Sequence, residues 1–320
     1  MRRVLLTGAT GFVGLHLYPA LRAAGYRVRS TTRNVTRARR VDPDREWSYC
    51  DVSDRASLVS ALEGCEAAYY LVHSVAASGD YPVREARAAQ AFRDAASEAG
   101  VSRLVYLGGV APAGATSPHL RSRLRCGELL RLGPVPVFEL RAAMIIGRGS
   151  ASWTMVHDLA RRLPAMVLPT WLGNHSWPVA VEDVVYALVR ALELPSERAG
   201  VYDLPGPERL SHLETLLRVA EHMDKHPVTL QVPLLTPRLS SYWIALVTDV
   251  DLGLARELVR GLRSDLDPTE TPFWTLCPEH ELMTLDDAID DALVDRAASR
   301  VPSLRAKRRL ERLTEALRGA

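Results

Sequence analysis

The sequence predicts an α/β chain: a doubly wound parallel sheet with a smaller, mostly helical lobe at its C-terminal end. Three observations carry that prediction. Val4-Leu5-Leu6-Thr7-Gly8-Ala9-Thr10-Gly11-Phe12-Val13-Gly14 reads as a buried strand, a glycine-rich turn and the start of a helix. Apolar strand-like runs then alternate with amphipathic runs, the pattern of a parallel sheet covered by helices. After about Pro205 that alternation fades.

The expected strands are Arg3–Thr7, Arg27–Thr32, Glu46–Tyr49, Ala67–Val72, Arg103–Leu107, Val135–Arg141 and Gly200–Asp203. Helices are expected at Gly14–Ala24, Asp54–Leu62, Tyr81–Ala99 and Ser122–Arg131. Right-handed crossovers through these segments wind the sheet in both directions and leave a binding crevice at the strand carboxyl ends. Residues 1–150 form this Rossmann-type unit, and residues 179–204 return to it. The return, Pro178–Leu194, has a short extended entry and then a helix with Glu182 and Asp183 at its positive end. Residues 205–320 are assigned to the substrate-side lobe. Leu210–Met223 reads as a helix, Pro233–Pro237 as punctuation, and Leu239–Val247 with Leu252–Leu262 as an apolar stripe. A core face explains that stripe better than a partner or membrane-surface helix. Residues 299–320 read as a charged surface helix, and no internal repeat is present.

At 320 residues the chain can hold one large domain or two smaller ones. A net charge of +2 argues against a nucleic-acid binder. Cys50, Cys65, Cys126 and Cys277 are scattered, without C-x-x-C spacing, and His157 and His175 have no ligand-spaced neighbour, so no metal is expected. No run is apolar for the ~18–20 residues that a membrane span needs. Met1-Arg2-Arg3 enters a strand with no apolar signal run, so a reduced, cytoplasmic protein is expected. Lys225 and Lys307 are the only lysines; every other basic side chain is arginine.

Gly8, Gly11 and Gly14 are spaced G-x-x-G-x-x-G between a strand and a helix. Such a turn needs glycine for positive φ, for approach of a pyrophosphate and for close helix packing. The helix start offers N–H groups and a positive dipole end to the phosphates. Expected contacts are Gly8, Thr10, Gly11, Phe12, Val13 and Gly14. An NAD site places a carboxylate at the end of the second strand to hold the ribose 2′-OH. This strand ends Thr31-Thr32-Arg33-Asn34 instead. Arg33 can pair with a 2′-phosphate through its planar fork, with Thr32 adding a hydroxyl. NADP is therefore expected over NAD. Arg37, Arg39 and Arg40 read as a solvated run. Asp51 and Val52, ending the third strand, can meet the adenine edge, while Asp51 also suits a cap. Leu71, Val72 and His73 end the fourth strand beside the nicotinamide ribose.

With Thr7–Gly14, Arg33, Asp51-Val52 and the later Arg141-Ala142-Ala143-Met144-Ile145-Ile146-Gly147, the chain resembles the short-chain dehydrogenase/reductase superfamily. It is similar to the atypical branch of the extended type, near bacterial NAD(P)H-binding oxidoreductases, over roughly residues 1–262. The resemblance implies a Ser, Tyr and Lys set with Tyr-x-x-x-Lys spacing, and this sequence departs from it. Gly108-Gly109 stands where the family's serine falls. Ser117–Arg123 aligns best on the catalytic helix, which puts His119 at the tyrosine position and Arg123 at the lysine position. No lysine precedes Lys225, so no displaced pair is hidden upstream.

Arginine stays protonated, so Arg123 can hold ribose or stabilise an oxyanion but cannot exchange a proton. His119 titrates near neutrality as a free side chain and is the candidate acid/base group; Ser122 is a candidate relay. Trp153, Trp171 and Trp177 either wall a substrate pocket or cover the lobe junction. The role of Arg141 is open. The first expectation is an NADPH-dependent reductase of a small apolar carbonyl, imine or activated alkene. A non-redox isomerase or cyclase and a dinucleotide sensor on the same scaffold are the alternatives. The expected partner is a small-molecule substrate, without nucleic acid or membrane span, and a homodimer is compatible with the sequence.

Overall fold

The computed structural model describes residues 2–73, 80–110, 117–162, 165–232, 248 and 252–294. Seven strands form one parallel sheet: β1 (Arg3–Leu6), β2 (Arg27–Thr32), β3 (Glu46–Tyr49), β4 (Ala67–Tyr70), β5 (Arg103–Gly109), β6 (Val137–Ala142) and β7 (Gly200–Asp203). Their spatial order is β7-β6-β5-β4-β1-β2-β3. Chain direction across the sheet reverses between β1 and β4, so the crevice opens at their carboxyl ends.

The central strands are apolar at consecutive positions because both faces are covered. Val4 and Leu6 of β1 enter one core layer, and Leu5 enters the opposite one. Helices α1 (Phe12–Ala23), α2 (Val35–Val41) and α7 (Val181–Arg190) supply the first layer. Helices α3 (Arg55–Leu62), α4 (Tyr81–Glu98) and α5 (Pro118–Arg131) supply the second. Tyr69 and Tyr70 of β4 divide in the same way. The Tyr69 hydroxyl donates to the Leu188 carbonyl at 2.9 Å, and Tyr70 packs on Phe92 and Tyr106.

A third cluster forms the lobe. It joins α6 (Ala151–Arg162), α8 (His212–His222), α9 (Leu252–Gly261) and α10 (Leu285–Leu293), with Ile146 and Ala180 beneath them. Ala255 and Val259 of α9 are fully buried in this cluster, so among the described residues the Leu252–Leu262 stripe is a core face. Residues 151–178, unassigned from the sequence, contribute Trp153, Met155 and Leu168 to it. Short pairings tie the segments together: Ile145–Ile146 with Val179–Ala180, His175–Ser176 with Leu210–Ser211, and Ala165–Pro169 with Val228–Val232. The lobe is stitched to the sheet edge at Asp203, whose carboxylate accepts the Thr269 and Glu270 N–H groups at 2.6 and 2.7 Å.

All four cysteines are buried and free. Among the described residues no helix is long and apolar enough to cross a membrane. The expected punctuation at Pro233–Pro237, the stripe at Leu239–Val247 and the helix at 299–320 lie outside the described residues.

Candidate active site

The glycine-rich turn is fixed by the residue before it. Thr7 donates its hydroxyl to the Tyr69 carbonyl at 2.7 Å and accepts the Leu71 N–H at 3.1 Å, so β1 and β4 end in register. Gly8 sits at φ +65°, and a Cβ there would lie 2.8 Å from the Leu71 carbonyl carbon. A Cβ on Gly14 would come 2.8 Å from the Ala9 Cα. Gly11 donates its N–H to the Gly8 carbonyl at 2.9 Å and is the N-cap of α1, with no side chain capping the helix. The first-turn N–H groups at Phe12, Val13 and Gly14 are thus left for an anion. Thr10 and Gly11 are exposed beside them. This cradle has no space for side chains and an uncapped positive helix end, so it fits a dinucleotide pyrophosphate.

Arg33 is exposed at the end of β2. Thr32 accepts the Asn34 N–H at 3.1 Å, and Asn34 in turn caps α2 by accepting the Arg37 N–H at 3.0 Å. Asp51 accepts the Ser53 hydroxyl and N–H at 2.7 and 2.9 Å. Those bonds hold its carboxyl below the usual range, with smaller help from the Arg33 charge. Capping of α3 itself falls to Asp54, which accepts the Ala56 N–H at 3.0 Å. Val52 packs on the core behind it, and Leu71 and Val72 are half-buried at the end of β4.

Arg45 was not expected from sequence. It is 5% exposed, donates to the Ser30 hydroxyl at 2.7 Å and to the Ala9 carbonyl at 3.2 Å, and stacks 3.8 Å over Tyr18 and 4.6 Å over Trp47. It places a positive charge against the Ala9 carbonyl of the turn. Nothing in the sequence separates Arg45 from its charged neighbours, because its burial depends on Tyr18 and Ser30 from two other segments as well as on nearby Trp47.

At the end of β5, Arg123 donates Nη2 to the Leu107 carbonyl at 2.9 Å, and its own carbonyl accepts the Tyr106 hydroxyl at 2.9 Å. Its Nε is buried without a partner among the described residues. A Cβ on Gly109 would lie 3.0 Å from that Nε. The two departures from the family pattern are therefore one: the guanidinium occupies space that a side chain at 109 would contest. His73 hydrogen-bonds the same Leu107 carbonyl, and burial with Arg123 and His119 nearby holds its imidazole well below the usual range.

Two sequence expectations are corrected here. His119 lies on the cavity wall, but burial, reinforced by Arg123, pushes it down to about 3. It is a neutral imidazole near pH 7 and carries no proton to give as imidazolium. Ser122 faces the other way. It is buried and absent from the cavity wall, and its hydroxyl donates to the buried Glu85 carboxylate between α4 and α5. It is a packing contact, not a relay. Arg141 is also turned from the cavity: it pairs at 2.7 Å with Glu139, a fully buried carboxylate that Arg131 contacts as well.

A cavity of about 580 Å³ runs from the sheet into the lobe. Phe12, Gly109, His119 and Arg123 line the sheet side; Met155, Leu172 and Leu216 are typical of the lobe side. The three tryptophans divide. Trp171 lines the cavity, Trp153 is buried in the lobe core, and Trp177 donates to Asp267 at 3.0 Å at the junction.

The NAD dependent epimerase/dehydratase family model matches residues 4–129, the stretch from β1 to α5 that carries the turn, Arg33 and Arg123. Over that stretch the chain is similar to the NAD dependent epimerase/dehydratase family. Cinnamoyl-CoA reductase 1 of Oryza sativa subsp. japonica is 31% identical over 111 residues, which is 32% of this chain and 33% of that protein. Sterol demethylase protein B of Methylococcus capsulatus is 34% identical over 126 residues, 36% of this chain and 38% of that protein. The matched stretches thus span little more than a third of those relatives. Citrobacter sp. triphenylmethane reductase, solved with NADP(H), superposes with a TM-score of 0.73 at 17% identity, covering 91% of this chain and all (100%) of that one. The Bordetella bronchiseptica enzyme WbmH, solved with NAD+, gives 0.68 at 17% identity, covering 94% and 100%. These structural likenesses extend the shared fold across both lobes, and the two neighbours differ in the nucleotide they hold.

Proposed function

We propose that the protein is an NADPH-dependent reductase of a small, apolar molecule. The observation that supports this reading is the open, largely apolar cavity lined by Arg123 and Gly109, where the buried Arg123 Nε has no partner among the described residues. Gly8–Gly14 would hold the pyrophosphate, and Arg33 with Thr32 the 2′-phosphate; Asp51 and Val52 stand at the adenine edge, and Leu71, Val72 and His73 at the nicotinamide ribose. Bound NADPH supplies a hydride.

The chain's own contribution is electrostatic. Arg123 stabilises negative charge growing on an acceptor oxygen in a site of low dielectric. Neutral His119 can donate an N–H hydrogen bond to the same oxygen. Neither group gives up a proton readily, so the proton comes from water. That suits an activated alkene, whose charge is held on a conjugated oxygen while carbon is protonated, better than a simple ketone. The open cavity favours an enzyme over a sensor, which needs no room for substrate.

The test is loss of NADPH absorbance with enone, imine and ketone acceptors, alongside Arg123→Ala. The reading predicts turnover of an apolar enone and a loss of roughly 100-fold or more in kcat/KM for the variant. Nucleotide binding without turnover of any acceptor class supports the sensor, and product without net NADPH loss supports the isomerase.

A further inference from the structure

We infer that the lobe end of the cavity is a recognition subsite for a neutral oxygen, and that the substrate is an elongated apolar molecule carrying such an oxygen remote from its reacting carbon. Which end reacts rests on the reductase reading; the subsite itself rests on the lobe wall.

His212 is the first residue of α8, 6% exposed, and lines the cavity. Its Nε2 is buried with no hydrogen-bond partner among the described residues. The indole Nε1 of Trp171, on the same wall, is likewise buried and unpartnered. Both are rigidly placed. A capping box starts α8, with Ser211 and Glu214 exchanging bonds of 2.7 and 3.1 Å. The His212 N–H donates at 2.9 Å to the Asn174 carbonyl, immediately after the turn Thr170–Gly173 that carries Trp171. A buried polar group left unpaired is destabilising. Two of them on one apolar wall are accounted for if a ligand pairs with them.

The chemistry of the wall selects the ligand. Leu168, Leu172 and Leu216 line the same cavity as the two residues, and the Thr215 hydroxyl is already donated to the Ser211 carbonyl at 3.0 Å. Two charged side chains line the cavity: Arg123 belongs to the sheet side, and Glu257, on α9, is paired with Arg260 at 2.8 Å. Burial keeps His212 neutral near pH 7. A carboxylate would meet no cation among the lobe-side lining residues, and the carboxylate there, Glu257, is already paired with Arg260, so a charged ligand group would be desolvated with little compensation. Trp171 can only donate, and His212 can donate from Nε2. The complement is a carbonyl, ether or hydroxyl oxygen.

The experiment uses a homologous series of aryl alkyl ketones of increasing chain length, whose ring carries either a para-methoxy or a para-ethyl group. Binding is measured calorimetrically with NADP+ present, so no turnover is involved. At one chain length the methoxy ketone should bind wild type roughly tenfold more tightly than its ethyl partner. Trp171→Phe should abolish that advantage and His212→Phe reduce it, while affinity for the ethyl ketone stays within about twofold. No methoxy advantage at any length in wild type, or one that persists in the double variant, overturns the proposal. A methoxy advantage without NADPH-dependent turnover would defeat the reductase reading and leave the subsite standing.

Discussion

At the residue scale, the nucleotide contacts follow from local chemistry that sequence displays directly. Gly8 needs positive φ, and Gly14 lies too close to Ala9 for a side chain. Gly14→Ala should therefore abolish nucleotide binding, read by calorimetry, while the sheet still folds by circular dichroism. Arg33→Gln should weaken NADPH roughly tenfold or more and leave NADH unchanged; equal affinity of wild type for both nucleotides would contradict the 2′-phosphate assignment. The acid/base groups were less legible. His119 and Ser122 have the right residue types at the right spacing, but protonation and direction depend on the folded surroundings: burial, reinforced by Arg123 one turn further on, for one, and Glu85 from another helix for the other. Because His119 titrates at about 3, the turnover profile should show no His119 inflection between roughly pH 5 and 8.

At the element scale, the central strands β1, β4, β5 and β6 were readable because a strand buried on both faces leaves a largely apolar run, while β2, β3 and β7, only partly buried, were readable from their place in the alternation of strands and helices. Their ends moved by only a few residues; β5, for example, runs on to Gly109. Helix α2 was hidden in the Arg37–Arg40 charge run, since one turn of its seven residues is buried only at Ala38. Helix α6 was missed because its apolar stripe is interrupted by Thr154, His157 and Asp158. Its Trp153 is 3% exposed in the lobe core. Trp153→Ala should destabilise the protein by ~3–5 kcal/mol in urea melts. Affinity for NADPH measured well below the melting transition should change little, because Trp153 lies in the lobe core and the glycine-rich turn in the sheet.

At the scale of the whole molecule, the two lobes meet at the cavity, and burial there leaves a signature in pH. His119 and His212 titrate at about 3 and about 4 in the folded chain, against ~6.5 when unfolded. The unfolded chain thus takes up protons first as pH falls. The stabilising contribution is complete above ~6.5 and is lost progressively toward those lower values, at up to ~1.4 kcal/mol per pH unit for each imidazole. Urea melts at pH 7.5 and 5 should show this loss, and His212→Gln should make it smaller. The central claim concerns chemistry in that cavity, and isotopic labelling reaches it most directly. The protein is incubated with NADPH carrying deuterium at the transferable C4 position and with its best enone acceptor, and the product is weighed by mass spectrometry. The account predicts one deuterium on the product carbon for each NADPH oxidised. Product without deuterium and with NADPH unconsumed would contradict it.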